Sequence, residues 1–223
     1  MEGVILMHMV NEFRATAPGE PNQPTDLMAA IGVRMAFAKD EEIYGQGETT
    51  DFVYRVVRGT VRTSHFMADG RRPIGDFYYD GELFGLETRA QHGLTAEALS
   101  DCIVLVASRK ALIAAGGDEE LRQLIWKATV RDLDRAREHL SLLVRKSASE
   151  RVASFLMGLA DRCCDEIVEL AMGRQDMADY LGLTIETVSR MITQLQSAKV
   201  VEFKSCRQFR IADRDALLTM AAG

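Results

Sequence analysis

Residues 174–201, RQDMADYLGLTIETVSRMITQLQSAKVV, decide the fold. They read as a short helix from Arg174 to Leu181, a turn at Gly182 and a second helix from about Ile185 to Gln196. Ala178, Leu183, Val188 and Leu195 are small or apolar where two crossing helices must touch. Gly182 supplies the tight turn, and Thr184 stands where its hydroxyl can cap the first free N–H groups of the second helix. On that helix Glu186, Ser189 and Arg190 recur at i, i+3 and i+4, so they share one face near its N-terminal end. A helix-turn-helix inserts that end into the major groove. Arginine can donate two hydrogen bonds to guanine, glutamate can accept from cytosine and serine can approach either kind of base. A solvated face with an intrahelical Glu186–Arg190 ion pair is the plainer reading of the same three residues.

Downstream, VVEFKSCRQFRIAD (200–213) forms two alternating runs joined at Ser205-Cys206, a hairpin wing with Lys204, Arg207 and Arg210 available to phosphates. From Thr184 to Ala212 five basic residues face two acidic ones, a local balance of +3 in a chain of net charge −6. The overall charge alone argues against nucleic acid, and the local balance reverses that argument here.

Upstream, a helix is expected from Ser149 to about Arg162, with Val152, Phe155, Leu156 and Leu159 on one face. Before it, a long helix is expected to start after Gly116-Gly117 and run to about Lys146. Trp126, Thr129, Leu133, Ala136, Leu140 and Leu143 recur along it at steps of three and four, the seam of a coiled coil. That spacing, on a helix flanked by both domains, favours a dimer interface, with one helix packed on its own domain as the alternative. From Glu42 to about Ser108 short β-rich runs (DFVYRVVRG, VRTSHFM, IGDFYY, CIVLVAS) are punctuated by glycines, as in an antiparallel barrel or roll. Asp69-Gly70 within MADGRR is a hairpin signal. The first 25 or so residues carry Pro18, Pro21 and Pro24 and read as a loose leader, in which Met7 and Met9 could be alternative starts.

Hydrophobic residues at 47% and charged residues at 27% are ordinary globular values, and no run approaches the roughly 20 apolar residues of a membrane span. No signal segment opens the chain, and Cys102, Cys163, Cys164 and Cys206 form no spaced framework, so a reducing cytoplasm is expected. Phosphate loops, metal triads and nucleophile motifs are missing, which disfavours an enzyme.

These motifs resemble the family of the cyclic-AMP receptor protein and the fumarate and nitrate reductase regulator, the Crp/Fnr family, over roughly residues 30 to 220. The resemblance implies an α+β fold: an antiparallel β-roll of the cyclic-nucleotide-binding, jelly-roll type, a long dimerisation helix and a C-terminal winged helix-turn-helix. The expected divisions are a leader over 1–25, the roll over 26–117, the dimer helix over 118–146 and the DNA-binding domain over 147–223. GELFGLE (81–87) resembles the end of the roll and TIETVSR (184–190) the recognition helix. Glu186, Ser189 and Arg190 match the fumarate and nitrate reductase regulator branch, which implies a TTGAT-N4-ATCAA-like palindrome. The cyclic-AMP receptor has an arginine before the glutamate and a glycine at the serine position, where this chain has Ile185 and Ser189. Arg174 and Gln175 match positions used near the phosphate backbone, to which Thr184, Thr187, Lys204 and Arg207 are added. Gly173 stands where the family has a capping threonine, so a weaker start of the first helix is expected.

Cyclic-nucleotide binding in the family uses an Arg-Ser or Arg-Thr pair after the Gly-Glu motif; HGLTAEAL (92–99) has Leu94 before Thr95 instead. An iron–sulfur cluster would need about four cysteines, three of them in the leader, which has none. Cys102 resembles an interior ligand position but also suits a buried strand. Haem through His65, His92 or His139 is an open alternative, as a ligand- or haem-dependent sensor with a different operator. No metal or other cofactor is expected. The pattern looks like the FixK-type group: homodimeric activators of microaerobic or nitrogen-metabolism genes that act with RNA polymerase and without a membrane. Cys206 is a candidate redox residue because oxidation would add polarity beside DNA, though it also reads as an inert wing cysteine. The Cys163-Cys164 pair reads as packing at a helix end.

Overall fold

The structure, a computed structural model, describes residues 26–222 apart from 69, 88 and 164. The expected leader, Asp69 of the hairpin pair and Cys164 therefore lie outside the described residues.

A short helix α1 (Leu27–Ile31) precedes eight strands: β1 (Val33–Phe37), β2 (Glu42–Tyr44), β3 (Phe52–Arg58), β4 (Val61–Ser64), β5 (Ile74–Tyr78), β6 (Leu83–Phe84), β7 (Thr95–Ala98) and β8 (Cys102–Ser108). They pair antiparallel into two four-stranded sheets, ordered β1-β8-β3-β6 and β2-β7-β4-β5. Strand β3 explains how the roll is filled. Its side chains alternate, Tyr54 and Val56 entering the roll interior while Val53 faces the helices outside. Inside, Tyr44, Tyr54 and Phe84 stack on one another, with Tyr54 and Phe84 centroids 5.2 Å apart. Gly85, at φ +70°, lets the GELFGLE segment press against the Tyr54 ring; a Cβ there would sit 2.6 Å from it.

The long helix α2 runs from Arg109 to Arg145, so it starts earlier than expected and passes through Gly116-Gly117. Two glycines cost about 0.5–1 kcal/mol each inside a helix, but the segment before them is held by tertiary contacts. Leu112 is fully buried in a cluster with Met28, Val53, Leu86 and Leu105, and Arg109 donates to the Gly85 and Glu87 carbonyls at 2.9 and 3.0 Å. Packing outweighs propensity there.

Along α2 the side chains at Ala128, Asp132, Arg135, His139 and Leu142 turn towards the chain's own domains. Trp126, Val130, Leu133, Leu140 and Val144 form an exposed apolar stripe, Trp126 at 70% and Leu140 at 63% exposure. Thr129 and Ala136 are exposed beside it. The expected seam is corrected at its end: Leu143 is half-buried, its side chain close to the Gly182 turn, and Val144 takes the exposed place. The expected seam follows 3.5 residues per turn, whereas a straight helix makes 3.6, so the exposed line drifts about 20° per heptad. Trp126 and Val144 stand five turns apart on that straight helix.

A helix α3 (Ala148–Arg162) follows, started by a capping box in which the Ser147 hydroxyl accepts the Glu150 N–H and Glu150 accepts the Ser147 N–H. Then come β9 (Val168–Glu169), α4 (Arg174–Leu181), α5 (Ile185–Ser197), β10 (Val201–Ser205), β11 (Gln208–Ile211) and α6 (Arg214–Ala222). The last three strands form a sheet ordered β10-β11-β9. One core joins this unit to the roll: Ile74, Phe77 and Leu99 are in the same buried cluster as Phe155, Leu156, Met177 and Val188.

Candidate nucleic-acid interface

Helices α4 and α5 form the expected helix-turn-helix. Gly182 adopts φ +61°, ψ +40°, the left-handed conformation that ends a helix at no Cβ cost, and the Leu183 N–H donates to the Ala178 carbonyl at 3.0 Å. The Thr184 hydroxyl accepts the Thr187 N–H at 3.3 Å, capping α5 as its position suggests. Ala178, Val188 and Leu195 are buried and Leu183 is packed against them.

The buried stripe of α5 is Val188, Met191, Ile192 and Leu195. Glu186, Ser189 and Arg190 are all exposed on the opposite side. Among the described residues no ion pair joins Glu186 to Arg190, so the intrahelical pair of the plainer reading is not formed. Hydrogen bonds from its own amide and from Thr184 hold the Glu186 carboxyl below the usual carboxylate range. It is an ionised acceptor at neutral pH. Ile185, 38% exposed at the first position of α5, is a further candidate that side-chain polarity alone does not suggest. An apolar side chain off the buried stripe is the signal that marks it, since apolar groups contact thymine methyls.

Around this face, Gln175 is exposed and donates to Asp179 at 2.8 Å. Arg174 is half-buried, its guanidinium 4.5 Å over the Phe203 ring, and burial lowers its pKa. It remains charged, as arginine always does in proteins. Gly173 gives α4 no side-chain cap, as expected, but Asp176 reaches back to accept the Gly173 N–H at 3.1 Å and replaces part of it. Thr187 is half-buried with its hydroxyl 3.2 Å from that of Thr184. Lys204 and Arg207 are exposed on the wing, Arg207 donating to the Leu170 and Ala171 carbonyls. The wing turn lies at Cys206-Arg207, one residue later than read from the sequence. Arg210 is paired with Glu202 and Glu166, at 2.8 and 2.9 Å, carboxylates that compete with phosphate for its guanidinium. Glu202 is its cross-strand partner, whereas Glu166 reaches it only through the fold. Cys206 is exposed between Ser205 and Arg207, within electrostatic reach of Arg174.

In the roll, Cys102 is buried and its thiol donates to the Thr60 carbonyl at 3.2 Å. His65 and His139 contact the Gly93 and Tyr180 carbonyls, and His92 contacts Glu87 while stacking on Tyr44 at 3.7 Å. Between roll and α2 lies a cavity of about 170 Å³ lined by Gly75, Asp76, Leu94, Asp132, Arg135 and His139 among others. Leu94 presses on the backbone of Gly75, where a Cβ would meet it at 2.8 Å. Among the described residues no three His, Cys, Asp or Glu side chains are grouped to hold a metal, and no helix is long and apolar enough to cross a membrane.

A winged helix-turn-helix with an exposed polar face on its second helix, carried by a long helix on a β-roll, defines a DNA-binding transcription regulator. The Crp-like helix-turn-helix domain family matches residues 150–220, and the cyclic nucleotide-binding domain family matches residues 34–115. The nitrogen fixation regulation protein FixK of Azorhizobium caulinodans is 44% identical over 92% of this chain and 85% of its own length. FixK of Rhizobium meliloti is 37% identical over 80% of this chain and 82% of its own. The solved structure of FixK2 from Bradyrhizobium japonicum superposes with a TM-score of 0.82 at 41% identity, covering 86% of this chain and 98% of that one. The chain belongs to the Crp/Fnr family of transcription regulators, in its FixK-type branch, and not to a family of enzymes.

Proposed function

We propose that this regulator binds, as a homodimer, a palindrome like TTGAT-N4-ATCAA and activates genes of microaerobic respiration or nitrogen metabolism in the cytoplasm, together with RNA polymerase. The observation that carries this reading is the shared exposure of Glu186, Ser189 and Arg190 on α5, flanked by the cations Arg174, Lys204 and Arg207. Arg190 pairs with guanine, Glu186 accepts from cytosine, Ser189 and the Ile185 side chain meet the neighbouring A·T pairs. The stripe from Trp126 to Val144 is the surface on which a second copy packs, so that two α5 helices reach half-sites one duplex turn apart.

DNA binding in this reading needs no small effector. Leu94 standing before Thr95 in place of an anion-binding arginine, and pressing on Gly75, supports that view of the roll. Cys206 remains a proposed site of oxidative control, its exposure and cationic surroundings being the support. The test is fluorescence anisotropy of the ligand-free protein on a labelled TTGAT-N4-ATCAA duplex at fixed salt, beside a duplex with the G·C pairs exchanged. Tight binding lost on the exchange is the expected result. Equal binding to both duplexes overturns the base assignment. A Soret band in the purified protein would point to the haem-dependent alternative.

A further inference from the structure

Four charged side chains from the two halves of the chain meet at the N-terminal end of α4. Asp176 is 8% exposed. One of its oxygens accepts the Gly173 N–H, and the other accepts from Arg62 of β4 at 2.8 Å and from Arg72 of the β4–β5 hairpin at 2.9 Å. Glu97 of β7 accepts from the same two arginines at 3.1 and 3.5 Å. Two guanidinium groups and two carboxylates thus balance in a largely dry seam, with Arg62 and Asp176 side chains only 9% and 11% exposed.

The other end of α4 is held by the long helix. The His139 ring stacks on Tyr180 at 3.9 Å and 7°, and its Nε2–H donates to the Tyr180 carbonyl at 2.7 Å. Arg151 donates to the carbonyls of Leu181 and Leu143, at 2.9 and 2.7 Å, tying the ends of α4 and α2 together.

Apolar contacts across the seam, such as Phe77 against Tyr180 at 5.2 Å, favour association but are non-directional. A buried ion pair adds little net stability, because desolvation offsets its attraction, yet its hydrogen bonds fix orientation. We propose that Asp176 is a positioning residue for DNA recognition: through Arg62 and Arg72 it holds the first helix of the helix-turn-helix against the β-roll and so sets the angle at which α5 presents Glu186, Ser189 and Arg190. The inference rests on the base-reading role proposed above. It gives the roll a function that requires no bound ligand, since its strands themselves aim the DNA-reading unit.

The test uses four full-length proteins: wild type, Asp176→Asn, Arg62→Met with Arg72→Met, and all three substitutions together. Asparagine keeps the shape of aspartate and its acceptor for the Gly173 N–H while removing the charge. Each protein is titrated on TTGAT-N4-ATCAA and on the same half-sites separated by three or five base pairs. Asp176→Asn is expected to lose about tenfold in affinity for the four-base spacing, because breaking one side of a buried network leaves charge unpaired, and to discriminate less among spacings. Adding it to the arginine variant is expected to cost little more, the mark of a shared network. An equal loss in both backgrounds would show that Asp176 acts independently of the two arginines and would overturn the proposal, as would unchanged affinity with unchanged spacing preference. Hydrogen exchange of the amides of residues 174–181, measured without DNA, judges the brace separately from the operator. Faster exchange in both the Asp176→Asn and the arginine variants supports it even if the wild type ignores the operator, and unchanged exchange refutes it.

Discussion

Arg190 and Lys204 are both exposed cations, and the proposed function gives them different work. Arg190 stands on the exposed face of α5, so Arg190→Ala is expected to cost about 1–3 kcal/mol per half-site on the cognate duplex and to flatten discrimination at one base pair of each half-site. Lys204 is on the wing, so Lys204→Ala is expected to weaken all duplexes about equally and to lower the salt slope by about two, one for each protomer of the dimer. Competition anisotropy against single-base variants separates the two. Inside the molecule, burial raises the Asp132 carboxyl to about 6, with the nearby Arg135 pulling it down and Asp76 pushing it up. A raised carboxyl stabilises the fold only while protonated: its contribution is full below about pH 4 and is lost as pH rises through 6. Asp132→Asn should therefore raise the melting temperature at pH 7.5, with the gain fading as the pH falls from 6 to 4. The shared exposed face of Glu186, Ser189 and Arg190 was legible in sequence because three helical positions depend only on local periodicity. The commitment of Arg210 to Glu166 was not, since those partners are 44 residues apart and meet only after folding.

At the scale of elements, the helix-turn-helix is written locally: the Gly182 turn, the Thr184 cap and the buried stripe of α5 follow from nearest neighbours along the chain. The start of α2 is written elsewhere. Glycines 116 and 117 signal a break, and the burial of Leu112 under α1 and β8, with the Arg109 hydrogen bonds to the Gly85 and Glu87 carbonyls, holds the segment before them in the helix. The same helix shows why a seam read by eye drifts, Val144 replacing Leu143 once the period is 3.6 rather than 3.5. Its exposed stripe makes a direct prediction. Leu133→Asp with Leu140→Asp places two carboxylates on the surface proposed to meet a second copy while leaving the inward residues Ala128, Asp132 and Arg135 untouched. Sedimentation velocity should then show a monomer, and operator binding should fall to the level of a single half-site. A dimer that survives both substitutions would assign the stripe another role.

For the molecule as a whole, the β-roll and the long helix were readable as separate units, but the way they close on the DNA-binding half was not. Phe77 meets Phe155 and Tyr180, and Arg62 meets Asp176, across sequence distances that no local pattern encodes. Arg174, Lys204 and Arg207 from each of two protomers predict that log K falls with log salt at a slope of about −5. A slope near zero, measured between 50 and 200 mM salt, would deny these residues their phosphates. Pairing Arg210 with Glu166 and Glu202 leaves those cations as a narrow band on a chain of net charge −6. That arrangement bears on how the regulator searches a genome. Within a Debye length of the duplex, about 10 Å at 0.1 M salt, the net negative charge disfavours approach by other faces, so encounters succeed through one face and end quickly where the sequence is wrong. Search should proceed by many short visits rather than long slides, with residence time reserved for the operator.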